Sequence, residues 1–508
     1  MEQNNRRIAK NTVILAIQQG LSLVVALYAS RVILQALGVE DFGIFNVVAG
    51  FVTMFAFLNT SMNNAIQRFY NYELGKNGED GAITVFNNAL FIQIIISVIV
   101  IVLLETIGLW YFNNKLIIPE ESYHSAFWIY QFSSLSLLFI IIQIPFSSAI
   151  AAHEKMLCFA SVSILDSILK LIVAIAISYV SEDRLFLYGF LLLLISVSDF
   201  IIFAAYSIHN FTEIKLKKIH NWKALKQMLT FSGWNFFGSF AGVGKEQGVN
   251  LILNIFFGPI VNASRGIAYQ VAGALKSFVS TVMISGRPQL VQSYAQNNFS
   301  RTIQLMLSLS KASFLILLFF SMPIIFNINY ILHLWLATDL PYYTGAFVNL
   351  VIVMSMIEAL SPPVSFVVHA SGDMAKYQLI NSFITLLVLP VSYITLKLGA
   401  DAVSVFWLGI IFQTLCQISS LIILKGIIKY SIIEYIKTVI IPLSMVVIIS
   451  GICIWLTRCF FDEGLIGLIC ATIVSSISIA LSSYLFVLDK KERDAVKTAI
   501  SKVLMRND

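Results

Sequence analysis

The chain has 508 residues, 58% of them hydrophobic and only 12% charged, with a formal net charge of +6. Soluble domains carry roughly 25% charged residues, so this composition excludes an ordinary soluble enzyme and describes an all-α polytopic membrane protein. The positive balance does not indicate nucleic acid as a partner, because the basic residues gather at the ends of apolar segments, where a bilayer requires them.

In chain order, Met1 to Asn11 holds Arg6, Arg7 and Lys10 and has the look of a signal-peptide leader. The apolar stretch behind it runs to about Gly38, too long for a cleaved segment, and is expected to be the first span. Windows of about 20 apolar residues then recur at about 43–67, 83–112, 123–150, 157–180, 186–208, 228–257, 265–290, 303–330, 344–369, 377–397, 402–424, 438–457 and 465–487, giving about fourteen spans in all. The N-terminus and the even-numbered connections hold most of the Lys and Arg, including Arg68, Lys76, Lys155, Lys215, Lys223, Arg301, Lys376 and Lys425. By the positive-inside rule both termini are expected in the cytoplasm.

The polar connection His209 to Gln227 follows six spans, and six more run to about residue 424. Domains are therefore expected at 1–220 and 221–424, two six-helix lobes of the same orientation around a central cavity, with two additional transmembrane helices over 425–488. The turns Ala152-His153-Glu154-Lys155-Met156 and Gly372-Asp373-Met374-Ala375-Lys376-Tyr377, each after the fourth span of its half, are a faint internal echo. The tail 489–508 sets Ala495, Val496, Ala499, Ile500, Val503 and Leu504 on one stripe among basic residues. Such a tail suits either a helix lying on the anionic inner leaflet or a frayed basic end.

Charges inside apolar helices are the residues to explain. An Arg or Lys at the centre of a membrane helix costs roughly 2.5 to 3.5 kcal/mol, so Lys245 and Lys276 together cost about 5 to 7 kcal/mol unless they face a wet cavity or a counter-ion. Lys276, Ser280, Met283 and Arg287 share one helical face and would form a cationic ladder. Lys276 and Lys245 are the better cavity candidates; the alternative for Lys276 is a pair with a neighbouring acid. Arg265 serves equally as an interfacial anchor or a substrate contact, Arg287 can snorkel to headgroups, and Arg31 divides evenly between cavity and interface. Asp166 and Lys170 have the spacing of an intrahelical ion pair. Glu246, Asp199, Glu358, Asp166 and also Glu105 are acids in apolar helices, and a poorly solvated carboxyl takes up a proton or Na⁺ readily, which makes them candidates for ion coupling. Trp234, Phe236, Phe237, Tyr269 and Tyr294 could stack on sugar faces, although packing and interfacial roles are the commoner use of such rings. Gly238, Gly242, Gly248 and Gly273 are expected to permit close helix approach or bending. The five cysteines show neither metal-ligand spacing nor a disulfide framework, and no Walker motif suggests ATP as a direct energy source.

Three motifs carry a family resemblance: Ser30-Arg31-Val32-Ile33-Leu34-Gln35-Ala36-Leu37-Gly38, then Asp41-Phe42-Gly43-Ile44-Phe45-Asn46-Val47-Val48, then Asn63-Asn64-Ala65-Ile66-Gln67-Arg68-Phe69. They resemble the opening of Wzx-type polysaccharide flippases of the multidrug/oligosaccharidyl-lipid/polysaccharide exporter superfamily. The turn at Ala152 to Met156 is similar to that family's fourth-to-fifth connection. The resemblance implies a two-lobed transporter, not an enzyme. It would move a polyprenyl-pyrophosphate-linked oligosaccharide, a precursor of O-antigen, capsule or exopolysaccharide, from the cytoplasmic to the periplasmic leaflet of a bacterial inner membrane. It implies no cofactor beyond proton or Na⁺ coupling or the membrane potential, and it implies lipids, a polysaccharide polymerase and a chain-length regulator as partners. Fourteen spans also fit peptidoglycan-precursor relatives, whereas drug-extruding members usually have twelve. A multidrug extruder on the same fold and an integral-membrane polymerase or ligase are the alternative functions. The first would call for a cavity of acids and aromatics, the second for sizeable outward loops.

Overall fold

The computed structural model describes residues 2–153, 155–180, 182–216, 222–337, 340–371, 374–428, 430–489 and 493; at some helical positions, chiefly within 2–17, 56–76, 222–237 and 281–288, it describes the backbone alone. Every regular element among the described residues is helical. The amphipathic-tail expectation for 489–508 falls almost wholly outside them, as do Glu154, Gly372 and Asp373 of the two echoing turns. The side chains of Trp234, Phe236 and Phe237 are also outside the description.

Eleven helices among the described residues are long and apolar enough to cross a membrane. The windows at about 228–257 and 265–290 are not among them for a physical reason. They form helices of 36 residues, Trp222–Phe257, and 37 residues, Pro259–Ala295, far longer than the roughly 20 needed. Their lysines, arginines and amides lower the mean hydropathy. The early windows are also fused: a continuous helix, Glu2–Thr53, contains a break at Gly38 with φ of 80°, a conformation that glycine adopts without the Cβ penalty. Gly258, with φ of 77°, makes the turn between the two long helices, and Pro259 opens the second with a φ already suited to a helix start.

The chain divides into two compact units. One comprises Met1–Ile267, Trp335–Tyr343 and Ser382–Leu408; the other comprises Ala268–Leu334, Thr344–Asn381 and Gly409–Asp508. The first unit has a packed core that includes Met62, Ile66, Tyr70, Phe86, Phe146 and Ile150. Polar groups tie its helices together where apolar packing supplies no register. Trp335 Nε1 donates to the Leu27 carbonyl at 2.8 Å, Gln35 Nε2 donates to Leu336 at 2.9 Å, and Arg184 Nη1 donates to Ala36 at 2.8 Å. In the second unit the terminal pair, Ile441–Arg458 and Leu465–Ser482, packs on Phe299–Phe326.

The fourth span of each half is broken, and in each case a proline stands at the break. In the first half, Tyr123–Ile142 gives way at Gln143 to Ile144–Ala152, with Pro145 in the first turn. In the second, Thr344–Glu358 gives way to Ser361–Ser371, which contains Pro362 and Pro363. Proline removes an N–H donor and crowds the preceding turn, so carbonyls upstream lose their intrahelical partners. At the second break other side chains satisfy them: Ser313 Oγ donates to the Ala359 carbonyl at 2.8 Å and Gln417 Nε2 donates to the Leu360 carbonyl at 3.3 Å. Ser361 Oγ in turn donates to Gln417 Oε1 at 2.7 Å. Backbone left unpaired in hydrocarbon would cost several kcal/mol per group, which is why such breaks occur where neighbours or water can reach.

Candidate functional site: two cavities at the broken helices

In the second unit a cavity of about 300 Å³ opens beside the break at Pro362. One wall is a face of Pro259–Ala295 and carries Lys276, Ser280, Met283 and Arg287, the four residues that helical spacing puts in line. Glu358, the last residue before the break, faces them, and Lys276 Nζ donates to Glu358 Oε2 at 2.6 Å. Lys276 therefore both lines a cavity and pairs with an acid. The two side chains remain 34% and 43% exposed, so the pair is wet enough to exchange partners. Arg287 lies at the other end, its guanidinium 5.1 Å from the centre of the Phe366 ring. That contact holds the planar cation by its face and leaves its N–H edges available. Val279, Met283, Leu317 and Pro362 make the rest of the lining apolar. A cation beside such walls, with only part of its hydration shell, attracts an anion more strongly than it would in bulk water.

In the first unit a larger cavity, about 450 Å³, opens beside the break at Gln143. Its lining is polar: Asn63, Gln143, Ser147, Ser163, Asp166, Lys170, Ser196 and Asp199, with the rings of Phe159 and Phe203 among the apolar members. Lys170 Nζ donates to Asp166 Oδ2 at 2.9 Å, the helical pair that the spacing of four suggests. Asp199, one helix away, stands close enough to feel both charges. Asn63 reaches the break as well, where its Oδ1 accepts from Ser148 Oγ at 2.8 Å.

The other charged sequence candidates fall in the first unit. Lys245 and Glu246 are adjacent and both half-buried. Arg265 is buried, 5% exposed, and its Nη2 donates to the Glu246 carbonyl at 2.6 Å, so its guanidinium braces the two long helices at their shared end. Arg31 is half-buried. Of the glycines, Gly248 lets the Leu389 side chain close in, since a Cβ there would stand 2.6 Å from it, whereas Gly242 and Gly273 face open space.

Several groups were not singled out in the sequence. Asn250, Asn254 and Asn262 form a fully buried amide network near the Gly258 turn. Asn262 Nδ2 donates to the carbonyl and the Oδ1 of Asn250, each at 2.7 Å, Asn254 Nδ2 donates to Asn262 Oδ1 at 3.2 Å, and Asn250 Nδ2 donates to the Asn46 carbonyl at 3.0 Å. Lys311, 6% exposed, donates to the Val487 carbonyl at 2.9 Å and thereby caps the end of the last helix, where a cation meets unsatisfied carbonyls and the negative end of the dipole. Glu213, 2% exposed, accepts from Tyr70 Oη at 3.3 Å and bonds His153 Nε2 at 2.5 Å. Lys311 was visible by the rule that flags charges in apolar helices; neutral amides give no such signal.

The profile of a family described as polysaccharide biosynthesis protein matches residues 7–285, more than half of the chain. The chain belongs to that family. The matched stretch takes in the whole first cavity and, of the second, Lys276 to Met283, ending before Arg287 and Glu358. Among solved structures, the lipid II flippase MurJ in an inward closed conformation matches with a TM-score of 0.67 at 14% identity, over 93% of this chain and 98% of its own. An inward-facing multidrug resistance transporter of the MATE family, in the MOP superfamily, matches at 0.61 and 16%, over 82% of this chain and 99% of its own. A MOP superfamily transporter from Pyrococcus furiosus, described as having a binding pocket of reversed polarity, matches at 0.63 and 15%, over 83% of this chain and 96% of its own. At these identities the likeness establishes the fold: a multi-pass helical membrane protein with the architecture of MOP-superfamily transporters and flippases. No curated protein matches the sequence.

Proposed function

We propose that the protein is a flippase for an oligosaccharide carried on a polyprenyl diphosphate, moving it from the cytoplasmic to the periplasmic leaflet of a bacterial inner membrane by alternating access. The observation that carries this reading is the second cavity, where Lys276 and Arg287 stand along one wall with a single carboxylate, Glu358, opposite. A lipid diphosphate needs charge neutralisation inside hydrocarbon, with Arg giving bidentate contacts to phosphate and Lys a point charge. A cavity of about 300 Å³ lies at the lower end of ligand pockets. It suits the diphosphate and the groups next to it, with the isoprenoid tail remaining in lipid.

In this reading no covalent bond is made or broken. Glu358 neutralises Lys276 while the carrier is empty, and the incoming diphosphate replaces it. The exchange costs little because Lys276 moves from one anion to another and the displaced Glu358 carboxylate, 43% exposed, is not stranded in a dry interior. The family and the fold both favour a transporter over an enzyme, and the basic residues favour placing both termini in the cytoplasm.

The test is flipping by the purified protein in liposomes, using a short-chain fluorescent polyprenyl-diphosphate oligosaccharide. Charge-assisted hydrogen bonds contribute about 1.5 to 3 kcal/mol, so Lys276→Gln is expected to slow flipping by roughly 10- to 100-fold with unchanged protein yield. A normal rate in that variant sinks the cationic-path reading.

A further inference from the structure

A third cavity, of about 490 Å³, opens on the first unit between the helices Met156–Ser178 and Arg184–Asn210. It uses a different face of Met156–Ser178 from the polar cavity at the Gln143 break, with Val162 at the boundary lining both. Most of its length is apolar. Leu157 and Leu165 are 63% and 40% exposed, and Ile168 and Ile172 continue the same exposed stripe beyond the cavity. Such a stripe on a membrane helix marks a surface that meets lipid. The polar groups gather toward one end, with Lys155 at the start of the helix, Ser161 further in and Tyr206 near the end of the neighbouring helix. Among the described residues the lining holds one base, the exposed Lys155, and no acid. The turn carrying Lys155 is fixed, because His153 Nε2 bonds Glu213 Oε1 at 2.5 Å and its ring stacks on Phe211 with centroids 4.2 Å apart. From Lys155 to Leu165 the helix rises about 15 Å, half the thickness of a hydrocarbon core of about 30 Å. The cavity thus runs from headgroup level toward the midplane, the path of one acyl chain.

We propose that this cavity seats one anionic phospholipid of the phosphatidylglycerol class. Its phosphate lies on Lys155, its glycerol and ester oxygens lie by the hydroxyls of Tyr206 and Ser161, and one acyl chain lies along Leu157, Leu165 and Ile202. Charge decides between headgroups: a zwitterionic lipid brings its own ammonium toward Lys155, whereas an anionic one brings only the phosphate it pairs with. On the orientation that the basic residues favour, the Lys155 end belongs to the cytoplasmic leaflet. The lipid is a resident of the seam between two helices and not cargo, so the proposal stands apart from what the protein transports.

Cys158 lies in the lining and serves as the reporter. In the full chain carrying Cys416→Ala, Cys453→Ala, Cys459→Ala and Cys470→Ala, it is the one remaining thiol. Its alkylation by N-ethylmaleimide in detergent is timed with added phosphatidylglycerol, phosphatidylcholine of the same chains, undecaprenyl phosphate or inorganic phosphate. Phosphatidylglycerol is expected to protect the thiol at about one-fifth of the phosphatidylcholine concentration, the worth of one lysine beside an anionic headgroup. Inorganic phosphate, which has no chain to fill the apolar track, is expected to give no protection. Lys155→Gln is expected to bring the two phospholipids level, and Lys155→Arg to preserve the difference. Equal protection by the two phospholipids in the parent chain, a preference that survives in Lys155→Gln, or no protection by either overturns the seat. Protection by inorganic phosphate to the same extent would make the cavity a simple anion site, and stronger protection by undecaprenyl phosphate would make it a track for a carrier lipid; both outcomes go against the proposal. None of these results bears on the flippase reading, which the liposome assay tests separately.

Discussion

The two cavities share a backbone device and differ in chemistry. Each lies at a proline break in the fourth span of its half, at Gln143-Ile144-Pro145 in one and at Ser361-Pro362-Pro363 in the other. The first is lined by amides, hydroxyls and two acids against one base; the second is mostly apolar, with two bases against one acid. A broken helix supplies space and reachable polar groups, but it does not dictate a ligand. The side chains around the break decide that, which is why the fold shared with a lipid II flippase and with multidrug transporters says little about cargo.

The sharpest way to break this comparison is to remove the acid from the basic cavity. Glu358→Gln keeps the shape and removes the Glu358 carboxylate from Lys276. Diphosphate affinity is expected to rise about tenfold or more, because the substrate no longer competes with a carboxylate for the ammonium. Flipping is expected to slow, since tighter binding delays release. Binding and flipping measured on the same preparation separate the two effects. An unchanged affinity would mean that Glu358 and the substrate do not contend for Lys276.

How much of this was legible follows from what makes a residue conspicuous. Lys276, Arg287, Glu358, Asp166 and Asp199 stand out because a charge in an apolar helix is expensive, and both cavities are built from them. The Asp166–Lys170 pair was legible because both partners lie on one helix. The Lys276–Glu358 pair was not, since the partners are 82 residues apart and only tertiary packing joins them. Pro145, Pro362 and Pro363 were plain in the sequence, yet the apolar windows around them read as unbroken spans, because hydropathy does not register a missing N–H. Asn250, Asn254 and Asn262 fit an ordinary polar helix face until their mutual contacts are seen. Arg265 sits at the start of a helix, where sequence places it near the surface; the adjoining helix buries it.

The asparagine network provides a second contrast, between polar groups that exchange partners and polar groups that do not. Asn262 is 0% exposed and supplies donors to both oxygens of Asn250. In Asn262→Leu those oxygens lose their donors inside the protein, at about 1 to 3 kcal/mol each. At about 1 °C per kcal/mol for a chain of 508 residues, the melting temperature in detergent is expected to fall by about 2 to 6 °C. Affinity for undecaprenyl diphosphate in the surviving folded protein should not change. A variant that melts normally but binds the lipid poorly would place the network in the substrate path.

The smallest effect expected is that of Lys170→Met. Its pair with Asp166 is a helical one on a half-exposed lysine, and such pairs contribute about 0.2 to 0.5 kcal/mol, so the melting temperature should move by no more than about 2 °C. The informative change is in ion dependence. Without the ammonium, the neighbouring carboxyls of Asp166 and Asp199 remain in a cavity also lined by Asn63 and Gln143, a set of hard oxygen donors that a small cation can occupy. Flipping by the variant is therefore expected to depend on Na⁺ about two- to threefold more steeply than flipping by the native protein. If the native protein already depends on Na⁺ to that extent and the variant does not differ, Lys170 is not what keeps cations out of the acidic cavity, and the contrast between the two units loses one of its supports.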